Sequence, residues 1–158
     1  MNDISKDPAE FLSNTLFVPE IRAKDKPGVL AELADVVVAR GIVPADRRDE
    51  VLAALADREE KMSTGMQYGV AIPHAKTEVV DRLVTMIAIS RDGVPFETLD
   101  GEPASIFIAT LSPPTDANSH IRFLAVVTRQ LANRRVRERV LAATTREELV
   151  AAFEVPEA

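Results

Sequence analysis

Leu83-Val84-Thr85-Met86-Ile87-Ala88-Ile89-Ser90, LVTMIAIS, is an apolar run too short for an ordinary helix and rich in β-branched side chains. A second run of the same kind, Ser105-Ile106-Phe107-Ile108-Ala109-Thr110-Leu111, lies a short distance downstream. Between them stand turn signals at Arg91-Asp92-Gly93-Val94-Pro95 and at Asp100-Gly101. Apolar runs of this length, closed by turn residues, predict two buried strands. With strands buried on both faces, helices must cover both faces of the sheet.

The segments on either side supply those helices and the remaining strands. Asp7-Pro8 opens a short helix through Ala9-Glu10-Phe11-Leu12, and Thr15 to Ile21 predicts a first strand, with Pro19 marking an edge or a bulge. Pro27 suits the first turn of a helix whose apolar face is Val29, Leu30, Leu33, Ala34, Val36 and Val37, and Gly41 suits its C-terminal cap. Asp46 to Lys61 predicts a second helix, and Ser63 to Gly69 a loop leading into a short strand, Val70-Ala71-Ile72. Pro73 must stop or bulge that strand, which places His74 at its exit. Downstream, Pro113-Pro114-Thr115-Asp116 leads into a long helix with His120 in its first turn and Ile121, Leu124, Val127 and Leu131 as its apolar face. A shorter helix near Val136 to Ala143 follows, and Thr145-Arg146-Glu147-Glu148 has the spacing of a capping box that opens a last helix through Phe153. The expected class is α/β, one domain over residues 1–158 with a core at about 5–153, built as a mixed β-sheet flanked by helices.

Composition narrows the function. A chain of 158 residues is long enough to bury close to ~70% of the surface its unfolded form exposes, so it can hold a side chain rigidly without cross-links. It has no cysteine, which removes a thiol nucleophile and disulfides. No apolar run reaches the ~20 residues that cross a bilayer, and Met1 to Thr15 carries no basic-then-apolar leader, so a soluble cytoplasmic protein without membrane insertion is expected. A net charge of −6, with Arg134-Arg135-Val136-Arg137 as the one dense basic cluster, argues against nucleic acid as a partner. Two histidines without helical or zinc-finger spacing make a poor metal set, and no metal or cofactor is expected. No Ser-His-Asp grouping or phosphate-cradling glycine loop is legible.

What remains is a histidine nucleophile, in which a neutral imidazole takes up a transferable group. A lone histidine after Ile-Pro is also compatible with a purely structural role. The run Arg58-Glu59-Glu60-Lys61-Met62-Ser63-Thr64-Gly65-Met66-Gln67-Tyr68-Gly69-Val70-Ala71-Ile72-Pro73-His74-Ala75-Lys76 resembles the active-site signature of the enzyme IIA proteins of the bacterial phosphoenolpyruvate-dependent phosphotransferase system, in the fructose, mannitol and nitrogen-regulatory group. The resemblance continues through Phe96 to Pro103 and Ser119 to Ala125 and covers about Ser5 to Phe153.

The resemblance implies that His74 accepts phosphate from the histidine-containing phosphocarrier protein and passes it to an enzyme IIB during sugar uptake. Alternatively, as in the nitrogen branch, its phosphorylation state controls partner proteins. It places Arg58 and His120 beside His74 as catalytic residues and makes Ser63, Thr64 and Gly65 candidates for holding phosphate. The two hydroxyls equally suit a turn that bonds to its own backbone. Met62, Met66 and Tyr68 are candidates for an exposed docking rim or, equally, for packing under the loop. Where the signature often has glycine before Ser63 and a Gly-Asn pair before the strand, this chain has Met62 and Gln67-Tyr68. Lys24 to Ala34 is also similar to the opening of ACT-type amino-acid-binding modules, although Pro44-Ala45-Asp46 starts a helix where such a module needs a strand.

Overall fold

A computed structural model of the chain describes residues 4, 7–116 and 118–154. Its centre is the pair predicted from the two apolar runs: β4 (Val84–Val94) and β5 (Ala104–Ser112), antiparallel, with Ile87 opposite Ile108. On one side β1 (Thr15–Val18) runs parallel to β4, and on the other β2 (Val70–Ala71) and β3 (His74–Lys76) run parallel to β5. The sheet is therefore mixed, and its residues alternate between two apolar cores. Met86, Ala88, Phe107 and Ala109 face α2 (Lys26–Ala39) and α3 (Arg48–Lys61). Ile87, Ile89, Ile106 and Ile108 face the opposite layer. That layer holds α1 (Pro8–Phe11), α4 (Ser119–Leu131), α5 (Arg134–Ala142) and α6 (Arg146–Ala152).

The caps follow the sequence. Asp25 accepts from Gly28 N at 2.8 Å to start α2, with Pro27 in its first turn, and Thr145 accepts from Glu148 N at 3.1 Å to start α6. The second predicted helix begins as a 3-10 turn, Ala45–Arg47, and continues as α3.

Three expectations are corrected. The turn signal at Arg91 to Pro95 does not end β4: the strand runs on to Val94 through a register shift between Ile89 and Val94. Gly93 absorbs that bulge at φ +78°. The first strand stops at Val18, because Pro19 has no N–H to give, yet Ile21 N still reaches Ile89 O at 2.6 Å. On α4, Ile121 is exposed and Phe123 takes its place in the buried face, since residues 120, 124, 127 and 131 define the inward stripe and 121 lies about 100° away from it.

Gly93→Ala combines a left-handed backbone with a Cβ that would sit 2.8 Å from Pro103 Cβ. The variant is expected to lose about 2 kcal/mol in urea denaturation, most of it the left-handed penalty. A loss under about 0.5 kcal/mol, the scatter of neutral surface substitutions, would show that the bulge is not strained.

Candidate active site

Pro73 interrupts the edge strand without shifting it: Ala71 pairs with Phe107 and His74 with Thr110, so both strands advance by the same count. His74 therefore opens β3 rather than sitting in a loop past the strand. The conserved register puts His74 on the same face as Val70 and Ile72, the face covered by α4. Pro73 O keeps the ladder bond to Thr110 N at 3.1 Å, so the Ile72 carbonyl points away from β5 and lies 2.9 Å from His74 Nδ1. A carbonyl only accepts, so Nδ1 carries the ring proton and Nε2 carries the lone pair.

That lone pair receives Nε–H of Arg58 at 3.2 Å, from the last turn of α3. The same guanidinium donates through Nη1 to Met62 O at 2.7 Å, where the backbone turns extended and the helix ends. From the other side comes His120 in the first turn of α4, its ring stacked 5.7 Å from that of His74 at an interplanar angle of 27°. The start of α4 is held by Asp116, whose carboxylate accepts from Asn118 N at 3.3 Å and Ser119 N at 3.0 Å. Arg58, His74 and His120, far apart in sequence, thus meet at one point.

Ser63, Thr64 and Gly65 lie in the loop after α3 with their polar groups turned inward. Ser63 Oγ donates to Phe96 O at 2.7 Å and accepts from Gly65 N at 3.1 Å. Thr64, buried, donates to the Glu59 carboxylate through N at 2.8 Å and Oγ1 at 2.5 Å. Gly65 leaves no room for a side chain, since a Cβ would come within 2.8 Å of Phe96 O and Thr98 Cα.

Glu59 and Lys26 were not singled out from the sequence, yet they hold this loop. Lys26 Nζ lies 2.9 Å from Glu59 Oε2, 3.2 Å from Ser63 Oγ and 4.6 Å from the centre of the Phe96 ring. The side chains are only 16% and 4% exposed, so the pair is desolvated and depends on its mutual contact. Lys26 belongs to the stretch that is similar to an ACT opening; here it anchors α2 to the end of α3. The one available signal was that Glu59 adjoins Arg58.

Around the site the surface is unusually apolar. Met62, Tyr68, Leu99 and Ile121 are all exposed, and each lies within or next to the segments just described. Tyr68 holds a left-handed φ of +63°, its N–H donates to Asp100 Oδ2 at 3.0 Å, and Arg137 covers its ring at 4.5 Å. Met66, an expected rim residue, packs partly buried against the α4 layer instead.

The comparisons with known proteins follow the same lines. The family model described as "Phosphoenolpyruvate-dependent sugar phosphotransferase system, EIIA 2" matches residues 10–155. The chain belongs to this EIIA 2 family. It is 35% identical over 122 residues to the "PTS system fructose-specific EIIA component" of Haloferax volcanii, covering 77% of this chain and 78% of that protein. Among solved structures, the nitrogen regulatory protein IIA-Ntr of Neisseria meningitidis matches with a TM-score of 0.77 at 24% identity, over 89% of this chain and 93% of that one. The IIA mannitol protein of Escherichia coli, in complex with phosphorylated IIB mannitol, matches with a TM-score of 0.70 at 21% identity, over 87% of this chain and 92% of that one. This EIIA 2 chain thus shares the IIA fold along nearly all its described length.

Burial, first, and then the nearby His74 and Lys76, push the His120 imidazole below its usual value near 6.5, against a weaker upward pull from Asp116. His120 is accordingly neutral at pH 7. Because its folded value lies below its unfolded one, its contribution to stability is present above about pH 6.5 and is lost as the pH falls through the depressed folded value. Following the ring protons by NMR titration should show His120 turning below 6.5, moving up in Lys76→Met and further down in Asp116→Asn. A His120 midpoint above 6.5 would mean that the ring is not desolvated as described.

For the loop anchor, Lys26→Met strands a buried carboxylate, and urea denaturation should register a loss of about 3 kcal/mol. Adding Glu59→Gln to that variant should recover part of the loss. Loss of less than about 1 kcal/mol in the single variant, the range of an exposed pair, would place the ion pair among surface contacts.

Proposed function

We propose that this EIIA 2 chain is a phosphocarrier that acts through a phosphohistidine at His74 Nε2. The observation that carries the reading is the hydrogen bond from His74 Nδ1–H to the Ile72 carbonyl, which fixes the neutral tautomer and leaves Nε2 as the nucleophile. In the transfer, the Nε2 lone pair forms the new N–P bond as the N–P bond to the donor histidine breaks. The donor imidazole leaves with the electron pair of the broken bond. Arg58 gives up its bond to Nε2 as the phosphoryl group arrives and turns its donors to the phosphoryl oxygens. His120 supplies a neutral N–H donor from the other side. Phosphoryl transfer has charge spread over the transferred oxygens, so fixed donors of this kind supply most of the rate, and no metal or cofactor enters the scheme.

Ser63, Thr64 and Gly65 serve the phosphoryl group indirectly in this reading, by holding the backbone that anchors Arg58 at Met62 O. The donor is the histidine-containing phosphocarrier protein and the acceptor an enzyme IIB, met in the cytoplasm; the complex of the mannitol relative with phosphorylated IIB supports the second. Two partners must use the same nucleophile in turn, which favours a small, transient interface, and the exposed Met62, Tyr68, Leu99 and Ile121 form its apolar rim. A second reading, control of partner proteins by phosphorylation state, takes its support from the nitrogen regulatory relative.

The test supplies phosphoenolpyruvate, enzyme I and the phosphocarrier protein and counts acid-labile phosphate. Wild type is expected to take up one phosphate and His74→Ala none; full labelling of His74→Ala overturns the assignment. In the same assay Arg58→Lys should slow single-turnover uptake by on the order of 10²-fold, because an ammonium cannot replace a two-pronged contact.

A further inference from the structure

Two hydrogen bonds orient the His74 ring, one from Arg58 and one to the Ile72 carbonyl. Both groups are fastened to the same end of α3. Arg58 stands on its last turn. Ile72 is reached through the loop that follows, which pairs antiparallel with the outer edge of residues 70–72. There Ile72 N donates to Thr64 O at 3.0 Å and Met66 N to Val70 O at 2.8 Å, with Gly65 opposite Ala71.

One side chain closes that loop back onto the helix. The Glu59 carboxylate, next to Arg58 in sequence, accepts from Thr64 N at 2.8 Å on one oxygen and from Thr64 Oγ1 at 2.5 Å on the other. Two bonds to one residue fix its orientation as well as its distance, and Lys26 Nζ at 2.9 Å holds the carboxylate in turn. Glu59 and Thr64 are both buried. Stability alone does not call for a carboxylate here. The last turn of a helix carries negative partial charge, which disfavours an anion, and an apolar pair of similar volume commonly holds a fold as well as a buried ion pair does. What an apolar pair cannot do is accept two hydrogen bonds from Thr64.

We propose that Glu59 is a positioning residue for His74: by clasping Thr64 it sets Ile72, and with it the carbonyl that keeps the ring proton on Nδ1, at a fixed place relative to Arg58 on the same helix turn. Without the clasp, Thr64 is no longer held against the edge of β2 and the Ile72 carbonyl loses its orientation. The ring then samples both tautomers, and Nε2 is free and in line for only part of the time. A displacement of about 1 Å at a reacting group can cost on the order of 10²-fold in rate. The effect on the ring concerns the free protein, whereas its consequence for transfer rests on the phosphocarrier reading above.

The experiment compares two double variants. Lys26→Met/Glu59→Leu replaces the ion pair by an apolar contact, whereas Lys26→Met/Glu59→Gln removes both charges and keeps an acceptor for Thr64. Long-range 15N–1H correlation spectra of histidine-labelled full-length protein are recorded above the titration range of both rings. His74 is expected to be protonated at Nδ1 alone in wild type and in the glutamine variant, and to show a mixture of tautomers in the leucine variant. Single-turnover phosphate uptake at saturating phosphorylated carrier protein should fall on the order of 10²-fold in the leucine variant, with the half-saturating donor concentration unchanged, and recover in the glutamine variant. If circular dichroism shows the leucine variant unfolded, Thr64→Val takes its place: it keeps the shape, drops one of the two bonds and should slow uptake about tenfold, with recovery in Thr64→Ser. A wild-type His74 spectrum or wild-type uptake in the folded variant overturns the proposal. So does a mixture of His74 tautomers in wild type, or a glutamine variant as impaired as the leucine one, which would assign the effect to charge. Failure of wild type to take up phosphate at all strikes the phosphocarrier reading instead, and leaves the spectra to decide the positioning of His74.

Discussion

The hydrogen bond between the Ile72 carbonyl and His74 Nδ1 is the contact on which the site depends. Pro73 parts β2 from β3 without altering their common register on β5, and its own carbonyl takes Thr110 N, so the Ile72 carbonyl turns away from β5 on a border strand. A true bulge would have slipped His74 by one residue and turned it to the α2 and α3 face. The proline leaves the register unchanged, so the ring keeps its place under α4 beside an acceptor that determines which nitrogen is free.

The second nitrogen depends on how α3 ends. Arg58 reaches His74 because the chain turns extended at Met62 and offers its carbonyl to the same guanidinium. That turn is held from below: Thr64 is tied to Glu59, Glu59 to Lys26, and Ser63 to both Lys26 and Phe96 O. A charged pair lies under the loop, where its geometry is strongly specified, and the guanidinium above it inherits that specification. Of the exposed apolar side chains around the site, Tyr68 is tied as well, by Asp100 through its N–H and by Arg137 over its ring.

The strands were legible where a single signal was strong. LVTMIAIS and SIFIATL could be little else, and Pro27 and Thr145 marked helix starts as capping chemistry requires. Boundaries failed where two signals competed. Asp92-Gly93 carries turn chemistry, but β4 uses Gly93 inside a bulge, because pairing Val94 with Ala104 outweighs a local preference. Ile121 was placed in the α4 face by spacing alone, and only packing shows that Phe123 fills that position. Of the site, His74, Arg58 and His120 were legible through a motif. Lys26 and Glu59 were not, since they act through each other across a wide gap in sequence and neither has a type or spacing that announces it.

Both borders of the sheet carry a proline, Pro19 just after β1 and Pro73 between β2 and β3. A border strand normally presents a ladder of free backbone groups on which another chain can align and nucleate aggregation. Here one border is four residues long, and the other is two fragments of two and three residues separated by a residue that cannot donate. Neither offers a run of backbone long enough to recruit a foreign strand. On the β2 side, Thr64 O and Met66 N also take the Ile72 N–H and the Val70 carbonyl, so whatever approaches that border meets side chains and finds no ladder to extend.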